Sequence, residues 1–226
     1  MTSADELARR AAEIGAPVGP DRAARMLAYL DRVLEINREL NLTAIRDRED
    51  AVARHLLDSL TLLPAWRSVA GTDAPRTFLD VGTGGGFPGA VLAAAWPASR
   101  GLLIDGTGKK VRAVADALAV AGITNAETLH ARGHEVLRQR PGTRATIDLV
   151  TARAVGEVAE ILRDVRGLSS PGGCILLMKG PDPPAEELAA GEREARRQRL
   201  TVRPPVRTEV PGLERRTILI YVLPRK

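Results

Sequence analysis

Residues Thr77 to Gly89 read TFLDVGTGGGFPG. Thr77-Phe78-Leu79-Asp80-Val81 has the apolar, β-branched character of a short buried strand, and Pro75 bounds it on one side. Gly82, Gly84, Gly85, Gly86 and Gly89 follow within eight residues, and the helix-forming run Ala90 to Ala95 comes next. A glycine cluster alone signals only a loop. Set between a strand and a helix, it predicts a tight turn at the carboxyl edge of a parallel sheet, where backbone can approach a ligand closely.

Outward from this turn, strand and helix patterns alternate. Leu102 to Asp105, Ala126 to His130, Ile147 to Val150 and Cys174 to Met178 read as strands two to five, the fifth after a Pro171-Gly172-Gly173 turn. Helices are expected at 106–122, near Glu135, over Val155–Arg166 and over Glu186–Arg199. Leu200–Arg207 and Thr217–Leu223 read as two last strands whose connection is too short for a crossover helix, so they should pair antiparallel. The expected fold is a doubly wound, mostly parallel α/β sheet with an antiparallel last strand.

Three helices are expected before it. The first has Ser3 as N-cap and stops at Gly15. The second starts after Pro20-Asp21 and repeats apolar residues at three- and four-residue spacing from Met26 to Leu40. The third runs from Arg48 to Leu63 and ends at Pro64. On it, Arg54 with Asp58 and His55 with Ser59 are i,i+4 pairs. Residues 1–66 are thus expected to form a helical cap, 67–76 a hinge-like link, and 77–226 the core.

The 226 residues suffice for one such domain with a modest extension. Aromatics are only 3%, so the core must be aliphatic. Cys174 is alone, which excludes a disulfide framework, and His55, His130 and His134 lack metal-ligand spacing, so no metal is expected. The longest apolar run is too short to cross a bilayer and the N-terminus lacks a signal-peptide pattern, which predicts a cytoplasmic protein. Gly191 to Lys226 carries ten Arg/Lys against four Glu, so the rest of the +5 chain is near neutral. A basic end on a neutral body suits a polyanion, with Arg193 to Arg199, Arg215 and Arg216 as candidate backbone-binding groups.

At the carboxyl ends of the expected strands lie Asp80 and Gly82, Asp105, Arg132-Gly133-His134, Arg153 and Lys179. Asp105 is placed to accept the ribose hydroxyls of a nucleoside. Two cofactors compete. Gly84 to Gly89 fits the dinucleotide pattern G-x-G-x-x-G, and Asp80 to Gly86 fits the D-x-G-x-G-x-G of S-adenosylmethionine enzymes. Pro88 removes an amide where a pyrophosphate would need one, and Asp80 better suits a zwitterionic amino acid. Both features favour S-adenosyl-L-methionine. The GTGKK after Asp105 lacks the other residues of a phosphate loop.

Asn37, Asn41-Leu42-Thr43, Arg54-His55, Leu57-Asp58-Ser59, DVGTGGGFPG, Leu103-Ile104-Asp105 with Lys109-Lys110-Val111-Arg112, Ala152-Arg153-Ala154 and Lys179-Gly180 follow one another in this order. In that order the chain resembles the small-subunit ribosomal RNA guanine-N7 methyltransferases, also called glucose-inhibited division protein B, over about residues 25 to 225. The resemblance implies the Rossmann-like class I S-adenosylmethionine-dependent methyltransferase fold and methylation of one guanine of 16S rRNA, with the small ribosomal subunit as partner. It implies cofactor contacts from Asp80, Gly82, Gly84, Phe87, Asp105, Gly106, Thr107, Gly133, His134 and Arg153, and puts His55, Arg153 and Lys179 at the catalytic centre. Gly106 stands where many members have Ser, and Gly133-His134 precedes Glu135 where a small residue is usual. Guanine N7 has a lone pair and no proton, so no general base is needed and positioning within about 3–3.5 Å of the methyl carries the chemistry. The purine gains positive charge, so Arg153, Lys179 and Lys109/Lys110 are expected to serve phosphate or the cofactor carboxylate, not the ring. A monomer is expected. A methyltransferase of another substrate, or a non-catalytic nucleotide-binding protein, are the competing readings.

Overall fold

A computed structural model describes residues 1–225 of the chain. Seven strands form one sheet: β1 (Thr77–Val81), β2 (Arg100–Asp105), β3 (Ala126–His130), β4 (Ile147–Arg153), β5 (Ser169–Lys179), β6 (Thr201–Thr208) and β7 (Arg216–Val222). Their order is β3-β2-β1-β4-β5-β7-β6, parallel from β3 to β5, with β7 antiparallel to both β5 and β6. The reversal between β1 and β4 opens the ligand crevice characteristic of doubly wound sheets. Antiparallel β7 brings its first residues to the same edge, since Thr217 lies opposite Lys179.

Successive side chains of a strand point to opposite faces, and the core divides accordingly. Phe78, Leu149, Leu176 and Ile218 face one layer; Leu79, Val150, Leu177 and Leu219 face the other. The first layer holds α1 (Ala4–Glu13), α2 (Pro20–Ile36), α6 (Gly89–Ala95) and α7 (Gly108–Val120), with α2 packed on α6 and α7. The second holds the short α8 (Val136–Gln139), α9 (Val158–Asp164) and α10 (Ala185–Arg197). Cys174 is buried in the first layer, where burial pushes its thiol up to about 11 and leaves it inert.

The first N-terminal helix begins as expected, and the second takes in Pro20-Asp21, which were expected to precede it. Ser3 accepts from the Glu6 amide, and Pro20 is the first residue of α2, where its missing N–H costs nothing. The third expected helix differs. It is α3 (Arg48–Ala51), a π-helical stretch Val52–Leu57, α4 (Asp58–Leu60), then α5 (Leu62–Ala70), which carries Pro64 in its first turn. Pro64 therefore ends nothing: the break falls at Thr61, and a proline that early in the new helix loses no interior bond. The link is correspondingly shorter, because 67–70 are helical. The Pro171-Gly172-Gly173 turn is also not outside β5 but inside it, and pairing with β4 shifts register there. The outermost strand, β6, contains Pro204-Pro205 where its own register with β7 shifts.

Candidate active site

The glycine turn is shaped by groups that reach it from both sides. A Cβ at Gly89 would lie 2.6 Å from Leu103 and 2.7 Å from Asp80 Oδ2. One at Gly86, whose φ is +89°, would lie 1.7 Å from the Tyr29 hydroxyl oxygen. Tyr29, on α2, donates its hydroxyl proton to the Gly85 carbonyl at 2.9 Å, so the helical extension is bonded to the turn. Asp80 is fully buried; its Oδ2 accepts from Thr83 Oγ1 at 2.5 Å and from the Gly89 amide at 2.9 Å, while Oδ1 has no partner. Burial pushes this carboxyl up to about 7, against the two hydrogen bonds that hold it down. Asp80 thus braces the turn from beneath and does not line the cavity, contrary to the placement beside a zwitterionic ligand.

Above the turn lies a cavity of about 560 Å³. Asp105 lines it, its Oδ2 accepting from the Gly84 amide at 3.0 Å and its Oδ1 from the Thr107 amide at 2.8 Å. Two amides fix the carboxylate, and each oxygen keeps a lone pair for the cavity. Gly82, Gly84, Phe87, Gly106, Thr107, Gly133 and Arg153 also line it. His134 does not: it points outward toward Asp164, 3.4 Å away, and Asp164 is the lining residue. Glu135 turns back to accept from the Arg132 amide at 2.8 Å. Of Lys109 and Lys110, only Lys110 reaches the cavity wall.

The opposite wall is a stack. Phe87 lies parallel to His55, centroids 4.4 Å apart, and edge-on to Tyr29 at 5.6 Å. Arg153 Nη2 donates to His55 Nδ1 at 3.1 Å, and since a guanidinium only donates, the imidazole proton sits on Nε2, 2.8 Å from Thr43 Oγ1. Burial, and then the Arg153 charge, hold the imidazole down at about 3, so His55 is neutral near pH 7. Arg153 Nη1 donates to the Arg54 carbonyl at 2.8 Å and to Asp58 Oδ2 at 3.0 Å.

Asp58 is 1% exposed and also receives Arg216 from β7, whose Nε lies 3.4 Å from Oδ1. That is near enough for an ion pair but misaligned for a hydrogen bond, and both atoms stay without a hydrogen-bond partner. The expected Arg54–Asp58 pair is not formed. Arg54 Nε donates to Asp50 Oδ1 at 2.7 Å, because the π-helical stretch turns Asp58 inward to Arg153. A second cavity of about 290 Å³ opens here, lined by Ile45, Asp58, Met178, Lys179, Gly180 and Arg216 among others. Lys179 borders it, with Nζ 2.6 Å from Glu187 Oε1 and donating to the Gly156 carbonyl at 2.8 Å. His55, Arg153 and Ala154 line both cavities, and Ala154 holds φ at +54°, a backbone conformation that side chains other than glycine rarely adopt.

Sequence reasoning missed Tyr29, Thr83, Asp164 and Arg216 as site residues. Arg216, expected on the RNA backbone, is turned inward to Asp58, and Arg215 Nε pairs with Glu209 at 2.7 Å. Arg196 and Arg197 lie on α10 with Glu192 and Glu194 beside them, and Lys226 is outside the described residues. Among the described residues no group of three or more His, Cys, Asp or Glu is arranged to hold a metal ion, and no helix is long and apolar enough to cross a membrane.

A sheet of this order, with a glycine turn after β1 and a carboxylate fixed by two backbone amides at the end of β2, defines a class I S-adenosylmethionine-dependent methyltransferase. Solved structures of this class have the same fold: a putative O-methyltransferase from Klebsiella pneumoniae (TM-score 0.58, 18% identity, 86% of this chain and 90% of that one) and a SAM dependent methyltransferase from Aquifex aeolicus (TM-score 0.57, 17% identity, 86% and 98%). The profile of the family described as rRNA small subunit methyltransferase G matches residues 22–211. The chain is 34% identical to the Ribosomal RNA small subunit methyltransferase G of Leptothrix cholodnii over 98% of its length and 95% of that protein's. It is 39% identical to the protein of the same name from Methylococcus capsulatus, over 82% and 85%. The chain belongs to the rRNA small subunit methyltransferase G family.

Proposed function

We propose that the larger cavity holds S-adenosyl-L-methionine, that the smaller one receives a guanine of 16S rRNA, and that the methyl group passes to N7 across the wall they share. One observation carries this assignment: cavities of about 560 and 290 Å³ meet at His55, Arg153 and Ala154. The donor set suits the cofactor, with an oriented carboxylate, backbone amides of the glycine turn below and the Gly133 backbone beside it. The cofactor, when bound, supplies an electrophilic methyl group.

The chain supplies position and a permissive field. N7 needs no base, and the group nearest to serving as one, His55, is neutral and committed to Arg153 and Thr43. The purine becomes cationic as it reacts, so an uncompensated cation beside it would raise the barrier. Lys179 is answered by Glu187, and Asp58 sits between Arg153 and Arg216 as the one carboxylate for both. In this reading Arg153 and His55 hold the wall in register, Lys179 ties the Gly156 loop to α10, and Asp80 and His134 act from behind the lining. Residues 1–66 serve as a cap that completes the site of the 77–226 core, and the enzyme works as a monomer in the bacterial cytoplasm, where ribosomal subunits are assembled.

The test is incubation of the purified chain with labelled S-adenosylmethionine and small ribosomal subunits from a strain lacking the modification. Label at a single guanine, with the strand cleavable there after reduction and aniline treatment, is the expected result. Calorimetric binding of the methyl donor without label on the RNA would move the substrate elsewhere.

A further inference from the structure

The loop from Asn41 to Arg46 touches three cavities in succession. Leu42 and Thr43 line the larger cavity, Ile45 lines the smaller one, and Arg46 lines a third of about 380 Å³. Asn37, 4% exposed, holds the loop. Its Oδ1 accepts from the Leu42 amide at 2.7 Å and the Thr43 amide at 3.0 Å, and its Nδ2 donates to the Thr43 carbonyl at 2.9 Å. Thr43 is held again through His55. The loop is therefore fixed in relation to the site and acts as a ruler along the three spaces.

The third cavity is walled by Leu34, Asn37, Arg38, Arg46 and the pair Asp31–Arg48. Its carboxylates are taken: Asp31 accepts from Arg48 Nε at 2.6 Å, and Glu35 from Arg32 Nη1 at 2.6 Å. Arg38 and Arg46 are exposed and have no carboxylate partner among the described residues. Two unanswered guanidinium forks beside a space of this size suit a phosphodiester, which they can grip through paired N–H donors. A strand that places one base in the smaller cavity must carry its next backbone phosphates past one rim of it, and the ruler loop leads from that rim to Arg46.

We infer that the cavity of Arg38 and Arg46 is a phosphate subsite that grips the RNA strand beside the target guanine. The inference rests on the proposed function only in taking the smaller cavity as the place of the base. The substrate grip then lies on the helical extension; in the C-terminal segment Arg215 and Arg216 are already paired, and Arg193 and Arg199 are the groups against which the test compares it.

The experiment is filter binding of the full chain to undermethylated small subunits across a series of salt concentrations, with calorimetry for S-adenosylmethionine. Arg38→Ala/Arg46→Ala should make the salt dependence of log affinity shallower, by about 0.7 for each phosphate that the variant no longer neutralises, with cofactor affinity unchanged. Arg193→Ala/Arg199→Ala on and after α10 should leave the slope where it is. An unchanged slope in the first variant, or a loss of cofactor affinity along with it, overturns the inference. Because binding is read without turnover, wild-type protein that binds subunits but does not methylate them would break the proposed function and leave this result readable.

Discussion

The two cavities that meet at Arg153 are built from different materials. The larger has a floor of backbone: the glycines of the turn after β1, with Asp105 beside them fixed by two main-chain amides. The smaller depends on charged side chains, Asp58, Lys179 and Arg216, brought from the start of α4, just after the π-helical stretch, and from two strands far apart in sequence. A backbone site is set once the turn folds, and it tolerates substitutions that leave the turn alone. A side-chain site depends on a balance of buried charges, so a single truncation leaves charge without an answer.

The sharpest way to break that contrast is Asp58→Ala. It would strand Arg153 and Arg216 against each other in a buried setting, and should cost about 3–5 kcal/mol in urea unfolding. A cost under about 1 kcal/mol would mean the network is solvated and the distinction false.

A smaller effect separates the two titrating groups. Asp80 has a folded-state pKa raised from 3.8 to about 7, so its contribution is full below pH 4 and drains away as pH rises toward 7. His55 is depressed from 6.5 to about 3, so its contribution is present above pH 6.5 and is lost as pH falls toward 3. Between about pH 4 and 6.5 the two slopes oppose. Asp80→Asn should unmask the histidine, and cofactor-free protein should then lose about 1.4 kcal/mol per pH unit on acidification through that window relative to wild type. Parallel stability curves for the two proteins would rule this out.

The smallest effect should come from Arg215→Ala. Its pair with Glu209 is exposed on both sides, so stability should move by no more than about 0.5 kcal/mol. Subunit affinity should also hold; a large drop would restore the C-terminal arginines as the RNA grip.

These contrasts explain what was legible in the sequence. The parallel sheet and its antiparallel end followed from alternating patterns and one connection too short for a helix. That Gly82, Gly84 and Asp105 would line one cavity was legible because the glycine turn is a local pattern and the carboxylate ends the next strand of a parallel sheet; the packing of Phe87 on His55 and Tyr29 was not. Arg216 was not, because only the reversal of β7 carries it to the edge where β5 ends. Asp58 appeared to belong to Arg54 at i,i+4, a spacing valid in an α-helix and void in a π-helical turn. Pro64 misled in the same way: proline forbids helix interiors, not first turns. The inward turn of Asp80 was hidden because sequence places a residue on a strand but does not say which partners satisfy it.

Pro204-Pro205 bears on how concentrated this protein can be kept. An outer strand offers its free amides and carbonyls to any extended segment of another molecule, and repeated addition there is one route to fibrous aggregates. Two consecutive residues without an amide proton, set where the strand bulges, interrupt that template at its middle. Replacing both would offer an unbroken ladder and should lower the solubility limit of a protein whose active site would be untouched.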